Sequence, residues 1–469
     1  MSRPFRQPWI LAAVVCCLTA ARVGAQFDLS VEQRLLEELL REGQYKQASL
    51  EAQRIQQSLK TQGGARSGPA TRTRIDLLMY REFVERRMGN LDAADKTLTE
   101  AERLFTDKDF QLWIYANVPR GEDAEKIREF WIPWSLMYFS LLDERGLLLV
   151  DRIRTANQEL SVAGASLTPE RQAQIIKWFK QLDELERKLM HARSTSLARL
   201  PADQDAPEGR RPGNHMMLSN ARPRLIAGLL YLEASKLPFT LPADMVQTAE
   251  GPAPKSDAPV TETAQDRKAA ATRQRRRAIE YLERAGEDAE AACAAALGRF
   301  ENKQDPTAEL AAAKAEATRI RSEVREPLVE ALLLDGSLDR AREMLDPLIN
   351  DLRTVEKERH PSLAKPLILS ARLALEETRR SIAAKDVVQA ERQAKGAIES
   401  LYEAKVLLEI EDSEFDRAAP LHAALASLIA SSDDILRKSG QLVAAKDAAD
   451  AAARRALQAI KAAEGRRKR

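Results

Sequence analysis

The sequence predicts an all-α protein of stacked antiparallel helix pairs, arranged as one array or in two segments. Apolar residues recur with the 3.6-residue period of an amphipathic helix along almost every stretch, and strand-like alternation is nearly absent. A short pattern, Gly-x-large-x-x-Ala, recurs between helical stretches. Once the first 25 residues are set aside as an export segment, Cys293 is the only cysteine left. An internal disulfide is then impossible, so packing has to hold the fold.

That N-terminal segment has the layout of a cleavable signal. Arg3 and Arg6 supply positive charge, residues 9–20 (WILAAVVCCLTA) are apolar, and Val23-Gly24-Ala25 offers small residues for cleavage before Gln26. The apolar run is shorter than the ~20 residues of a membrane span. Val14-Val15 ahead of Cys16 is a poor match to lipoprotein processing.

Helical elements follow in order. VEQRLLEELL (31–40) puts Val31, Leu35, Leu36, Leu39 and Leu40 on one face. In 171–190, Ile175, Ile176, Phe179, Leu182, Leu185 and Leu189 form one stripe, and Thr168-Pro169-Glu170 marks the start of that helix with a cap and a Pro at its first position. Residues 224–237, 267–300 with an interruption near Gly286, and 363–384 are further helices, and Ala-rich helices continue to about residue 464. The predicted organisation is an N-terminal repeat region (27–247) containing an aromatic-rich segment (105–139), a Pro-rich linker or insertion (248–265), a C-terminal repeat region (266–464) and a basic tail (465–469). A composition change supports the boundary: Trp113, Trp131, Trp134 and Trp178 precede the linker, and no Trp follows it.

The recurring pattern occupies Gly43-x-Tyr45-x-x-Ala48, Gly89-x-Leu91-x-x-Ala94, Gly336-x-Leu338-x-x-Ala341 and Gly440-x-Leu442-x-x-Ala445. A version without Gly is Lys385-x-Val387-x-x-Ala390. Gly supplies the positive φ of a tight helix–helix turn. The large residue staples the entry of the second helix, and Ala leaves room for its partner. These units resemble tetratricopeptide repeats, whose helix pairs carry Gly, a large apolar residue and Ala at such offsets. The resemblance covers roughly five helix pairs. It departs from the family in spacing, with Gly43 and Gly89 46 residues apart against about 34 in the family. The family's leading Trp and first Gly, and its closing Pro, are missing.

Lys+Arg 73 against Asp+Glu 71 gives no basic excess for a nucleic-acid binder, and RQRRR (273–277) reads as a solvated helix face. His191, His215, His360 and His422 do not pair at helical spacing, and HExxH, GxSxG and phosphate-binding glycine loops are absent. The expectation is a non-enzymatic chain with no cofactor, no metal and no nucleic-acid partner, and with no membrane span after signal cleavage. Stacked helix pairs leave a surface for protein or peptide partners in the cell envelope or periplasm. The resemblance implies that leading helices line it, which nominates Leu40, Arg41, Phe83, Arg86 and Arg87, the arginines gripping a carboxylate. Trp131 and Trp134 are a second candidate, an aromatic anchor for a partner or an apolar ligand. Two alternatives stay open: a ligand-binding or enzymatic domain built around 105–139, and a membrane-tethered adaptor with an uncleaved N-terminus.

Overall fold

The structure is a computed structural model. It describes residues 29–41, 44–61, 68–119, 124–161, 167–197, 219–241, 263–298, 300, 308–355, 361–384 and 386–409, with scattered positions between 425 and 458. The export segment, residues 248–262, the basic tail, Gly43, Gly440, Leu442 and Ala445 lie outside them.

Thirteen α-helices occupy the described residues, which contain no strand. They are α1 (Leu29–Arg41), α2 (Tyr45–Thr61), α3 (Gly68–Arg87), α4 (Leu91–Phe105), α5 (Lys108–Ala116), α6 (Ala124–Ser161) and α7 (Pro169–Leu197). Then come α8 (Ala221–Ala234), α9 (Ala264–Gly298), α10 (Ala308–Asp335), α11 (Leu338–Val355), α12 (Ala364–Ala383) and α13 (Val387–Glu409). Local chemistry starts several of them. Thr168 Oγ1 accepts from the Arg171 amide at 3.2 Å, as the sequence predicts. Asp107 Oδ1 accepts from Asp109 and Phe110 at the head of α5. Thr263 and Asp266 exchange bonds in a reciprocal cap that opens α9.

The recurring pattern is one turn used four times. An amide donates five residues back across the bend in each copy: Gln44 to Leu39, Asn90 to Glu85, Ser337 to Leu332 and Asp386 to Ser381, at 2.8–2.9 Å. Gly89 (φ 71°) and Gly336 (φ 83°) take the left-handed conformation this bond requires, and each amide also donates three residues back. The pattern's Ala then makes the first backbone bond of the next helix, and Ala48, Ala94, Ala341 and Ala390 are all buried. Leu338 is buried behind Gly336, and Leu91 is half-buried. Tyr45 and Val387 open α2 and α13.

These turns make the pairs α1/α2, α3/α4, α10/α11 and α12/α13; α6/α7 and α8/α9 pair across longer connections. Each pair packs on the next, which makes an all-α solenoid. The leading helices α3, α6, α8, α10 and α12 each pack on the following one, whereas the trailing helices pack substantially only on leading ones. The leading layer therefore lies on the tighter side of the array.

Three features show packing prevailing over local composition, and one of them removes the interruption expected near Gly286. The Pro-rich stretch does not divide the core: α8 before it and α9 after it pack together, and one cluster runs from Leu147 through Ile226 and Leu282 to Leu373. The loss of Trp after residue 248 changes the size of core side chains and leaves the core continuous. Helix α9 runs through Gly286, because its neighbours Leu282, Ala285 and Ala289 are all buried and packing holds the turn. Likewise α6 continues through Pro133, flanked by buried Ile132 and Trp134.

Two glycines on paired helices separate backbone freedom from close approach. A Cβ on Gly228 of α8 would stand 2.6 Å from Leu282 Cγ, whereas one on Gly286 of α9 would meet only Val324 Cγ1, at 3.9 Å. Gly228→Ala is expected to destabilise by about 1–3 kcal/mol through overpacking. Gly286→Ala is expected to stabilise by about 0.5–1 kcal/mol by removing helical glycine. Chemical denaturation of the two variants beside wild type checks both signs.

Candidate functional site

The candidate site grows from the faces that leading helices turn toward one another. On α3 the helical period places Glu82 and Arg86 on one side, four residues apart. Arg86 Nε donates to Glu82 Oε1 at 3.1 Å. Its two terminal nitrogens reach α6, one to Asp151 Oδ2 at 3.2 Å and the other to Glu144. Asp151 also takes Arg154 Nη1 at 2.8 Å, and Arg154 Nε reaches Glu233 on α8 at 3.2 Å. Lys236, just past α8, then bridges Glu233 at 2.9 Å and Glu330 of α10 at 2.7 Å. The result is an unbroken ladder of charge from α3 through α6 and α8 to α10. Beside it, Arg222 of α8 pairs with Glu323 of α10 at 2.6 Å, and Lys365 of α12 with Glu326 of α10 at 3.1 Å.

Burial sets the electrostatics of the ladder. Glu82 is fully buried, and its second oxygen finds no donor among the described residues. Burial pushes its carboxyl up to about 8, against the pull of Arg86 and with a further push from Glu144. Burial also works against the charge on Arg86, but Glu144, Glu82 and Asp151 outweigh it and hold the guanidinium charged. At the other end burial opposes the Glu330 carboxylate, and Lys236 and Lys365 outweigh it and hold it below its usual range. Asn157 donates from Nδ2 to the backbone carbonyl and the carboxylate of Glu233, both at 3.0 Å, and so fixes the rung between α6 and α8.

The nominated binding residues sit elsewhere than expected. Arg86 is spent within the protein, with its fork closed by three carboxylates, and it offers nothing to an acidic partner. Leu40 and Phe83 pack against a core of Leu36, Ala48, Ala52, Ile55, Leu77 and Val84. Arg41 and Arg87 lie in α1 and α3, with side chains outside the described residues. Trp134 is buried among Phe110, Ile114, Met137 and Leu141, with Arg72 over its ring at 5.1 Å, and half-buried Trp131 packs on the same cluster. Phe110 and Trp134 are core because α3, α4, α5 and α6 meet there and large rings fill that junction, while Tyr115 and Tyr138 of the same segment are exposed. Trp113 itself lies so close to the Gly68 backbone that a Cβ would fall 1.8 Å from its ring.

Of the ladder's members the sequence nominates Arg86 alone, as a grip for a partner's carboxylate, and the others carry no local mark that sets them apart from an exposed helix face. The available signal was an Arg and a Glu four residues apart on a helix whose apolar residues lie on both flanks. Among the described residues, no group of His, Cys, Asp and Glu is arranged to hold a metal, and no helix is long and apolar enough to cross a membrane. Cys293 is buried, and burial pushes its thiol up to about 11, which makes it unreactive. No protein-family model matches the chain, and no curated protein does.

Removing the cation at the head of the ladder leaves three carboxylates facing one another. Arg86→Leu is expected to cost about 3–5 kcal/mol, the cost of breaking a buried pair. Arg379→Leu, which breaks the exposed pair with Glu376, is expected to cost within about 1 kcal/mol. Urea midpoints of both variants test the ranking.

Proposed function

We propose that this chain is an exported, non-enzymatic helical-repeat scaffold that holds a protein or peptide partner along its leading-helix layer. It is read as a tetratricopeptide-like array of irregular spacing. The observation that carries this reading is the turn used four times, with the same five-residue backbone bond and the same buried Ala. One local device, repeated, stacks helix pairs in series, and such arrays work by presenting long continuous surfaces. The leading layer is the side where successive helices lie closest and where charged side chains of four helices come together. The layout of residues 1–25 supports export and a periplasmic or cell-envelope site of action. The alternative of an apolar-ligand or catalytic site at 105–139 draws less support, because most of those rings pack on one another and on neighbouring helices, with Leu112, Tyr115 and Tyr138 left exposed.

Photocrosslinking in the native host tests the scaffold reading. A photoreactive residue replaces Thr155 of α6 or Arg372 of α12, each at helical spacing from ladder residues of the leading layer. Arg284 of α9 and Arg340 of α11, exposed on trailing helices, are the controls. Adducts of discrete mass are expected from the first two positions alone. Equal labelling from all four, or none from Thr155 and Arg372, overturns it. Intact mass of the mature chain is expected to place its first residue at Gln26; retention of residues 1–25 overturns the export step.

A further inference from the structure

We infer that Glu82, Arg86, Glu144 and Asp151 form a proton-linked latch between α3 and α6, whose closing takes up one proton on Glu82. The argument begins with charge. One guanidinium faces three carboxylates in a seam from which water is largely excluded. Arg86 has five N–H donors, and its pairings direct them to Glu82 Oε1, Glu144 and Asp151. Glu144 and Asp151 keep some contact with water, and Asp151 has Arg154 as a second cation. Glu82 has neither. It is sealed from solvent and accepts through one oxygen, while the other meets no donor among the described residues. A buried carboxylate in that position carries an uncompensated charge, and a proton on the orphan oxygen removes it.

Other carboxyls on these helices differ from Glu82: Asp76 of α3, pushed up to about 6 by burial against the pull of Arg72, adds a slope of its own only below that pH, and Asp143 of α6 is buried beside Arg222. The charged groups facing Glu82 are Arg86 on its own helix and Glu144 and Asp151 on α6. Arg222 of α8 stands beyond them, against Asp143 and Glu144. Helix α4 addresses other residues of α3, with Thr97 bonded to Glu85 and Glu100 to Arg74. Helices α2 and α5 bring apolar side chains to α3: Ala48, Ala52 and Ile55 from one, Phe110 and Ile114 from the other. The proton on Glu82 leaves Arg86 to the two α6 carboxylates, and that pairing stands beside the apolar cluster and the Arg145 and Arg152 ion pairs by which α6 also holds α3 and α4.

The sign follows from linkage. When α3 and α6 part, Glu82 meets water and returns to its ordinary acidity, so the open seam binds fewer protons than the closed one. Opening therefore becomes easier as pH rises above the ordinary carboxyl value of about 4.3. The opening constant grows up to tenfold per pH unit, and it levels off once the closed form also ionises, at about 8. The latch is tight in mildly acidic surroundings and loosens toward alkaline ones.

Hydrogen exchange of the full chain from pH 5 to 9, corrected for the intrinsic exchange rate, reads this seam directly. Amides of α3 and of the middle of α6 are expected to lose protection by up to tenfold per pH unit and then level off, while those of α10 and α11 hold steady. Glu82→Gln is expected to abolish the slope above about pH 6, where Asp76 is ionised in the closed form as well. Glu144→Gln and Asp151→Asn, which leave Glu82 in place and remove its repulsive neighbours, are expected to move the plateau to lower pH. They keep the test open should Glu82→Gln fail to fold. Infrared difference spectra at pH 6 are expected to show a protonated carboxyl band that is lost in Glu82→Gln. A flat wild-type profile, a slope above about pH 6 that survives in Glu82→Gln, or a plateau unmoved in both α6 variants overturns the latch.

Discussion

The architecture depends on one constraint, the turn that reverses a helix within three residues and lets the next helix lie against it. A five-residue backbone bond closes that turn, and it forces the intervening residue toward positive φ, which Gly89 and Gly336 adopt without steric cost. The Ala that follows stands at the point of closest approach and is buried in all four copies. A larger side chain there would push the trailing helix away and change the angle at which every later pair stacks. The turn and the small residue act together, since either alone leaves the two helices free to splay.

Helix α6 shows how the array absorbs its irregular spacing. It is 38 residues long, and successive stretches of it serve different clusters. Trp134, Met137 and Leu141 pack with α3, α4 and α5, whereas Val150, Ile153 and Ala156 pack with α7 and α8. Helix α3 divides itself similarly, with Leu77 and Val84 to one side and Ile75 and Leu78 to the other. A leading helix with two apolar flanks has little perimeter left for polar residues. What remains is the strip between neighbouring leading helices, and the charged ladder occupies it. The 46 residues from Gly43 to Gly89 hold α2 and α3, of 17 and 20 residues, and the stretch that joins them, whereas α5 and the long α6 fall between Gly89 and Gly336.

Legibility in the sequence divides along the same line. The turns were readable because a five-residue bond, a left-handed Gly and a small Ala act within a dozen residues of chain. The Thr168 cap was readable for the same reason. Burial of Arg86 and Trp134 was not, because it is decided by which helix arrives on the far side. In sequence, Glu82 and Arg86 are an ordinary helical pair, and only Glu144 and Asp151, brought from α6, make them the head of a ladder. The Pro-rich stretch reads as linker or insertion for a related reason: local composition marks where the chain leaves the core, while the packing of α8 on α9 shows that the core continues across it. Gly286 shows propensity yielding to packing, since one weak helical residue costs about 1 kcal/mol and the surrounding turn buries several apolar side chains.

A ladder of this kind is an uncertain source of stability. Desolvating its charges costs several kcal/mol per ion, and the Coulomb attraction between them returns that only with good geometry. Its stronger effect is on register. Sliding α3 by one turn along α6 would place Arg86 opposite apolar Leu147 or Leu148 and leave Glu144 and Asp151 without their cation. An apolar seam of leucines and alanines would tolerate such a slip far better, because many offsets bury similar area. The charges thus discriminate between alternatives that the hydrophobic core treats nearly alike. Glu82 limits how far this device can go. It is the member placed deepest, and the ladder holds it by Arg86 alone. That makes the seam between α3 and α6 the place where the array's register is most sensitive to protonation.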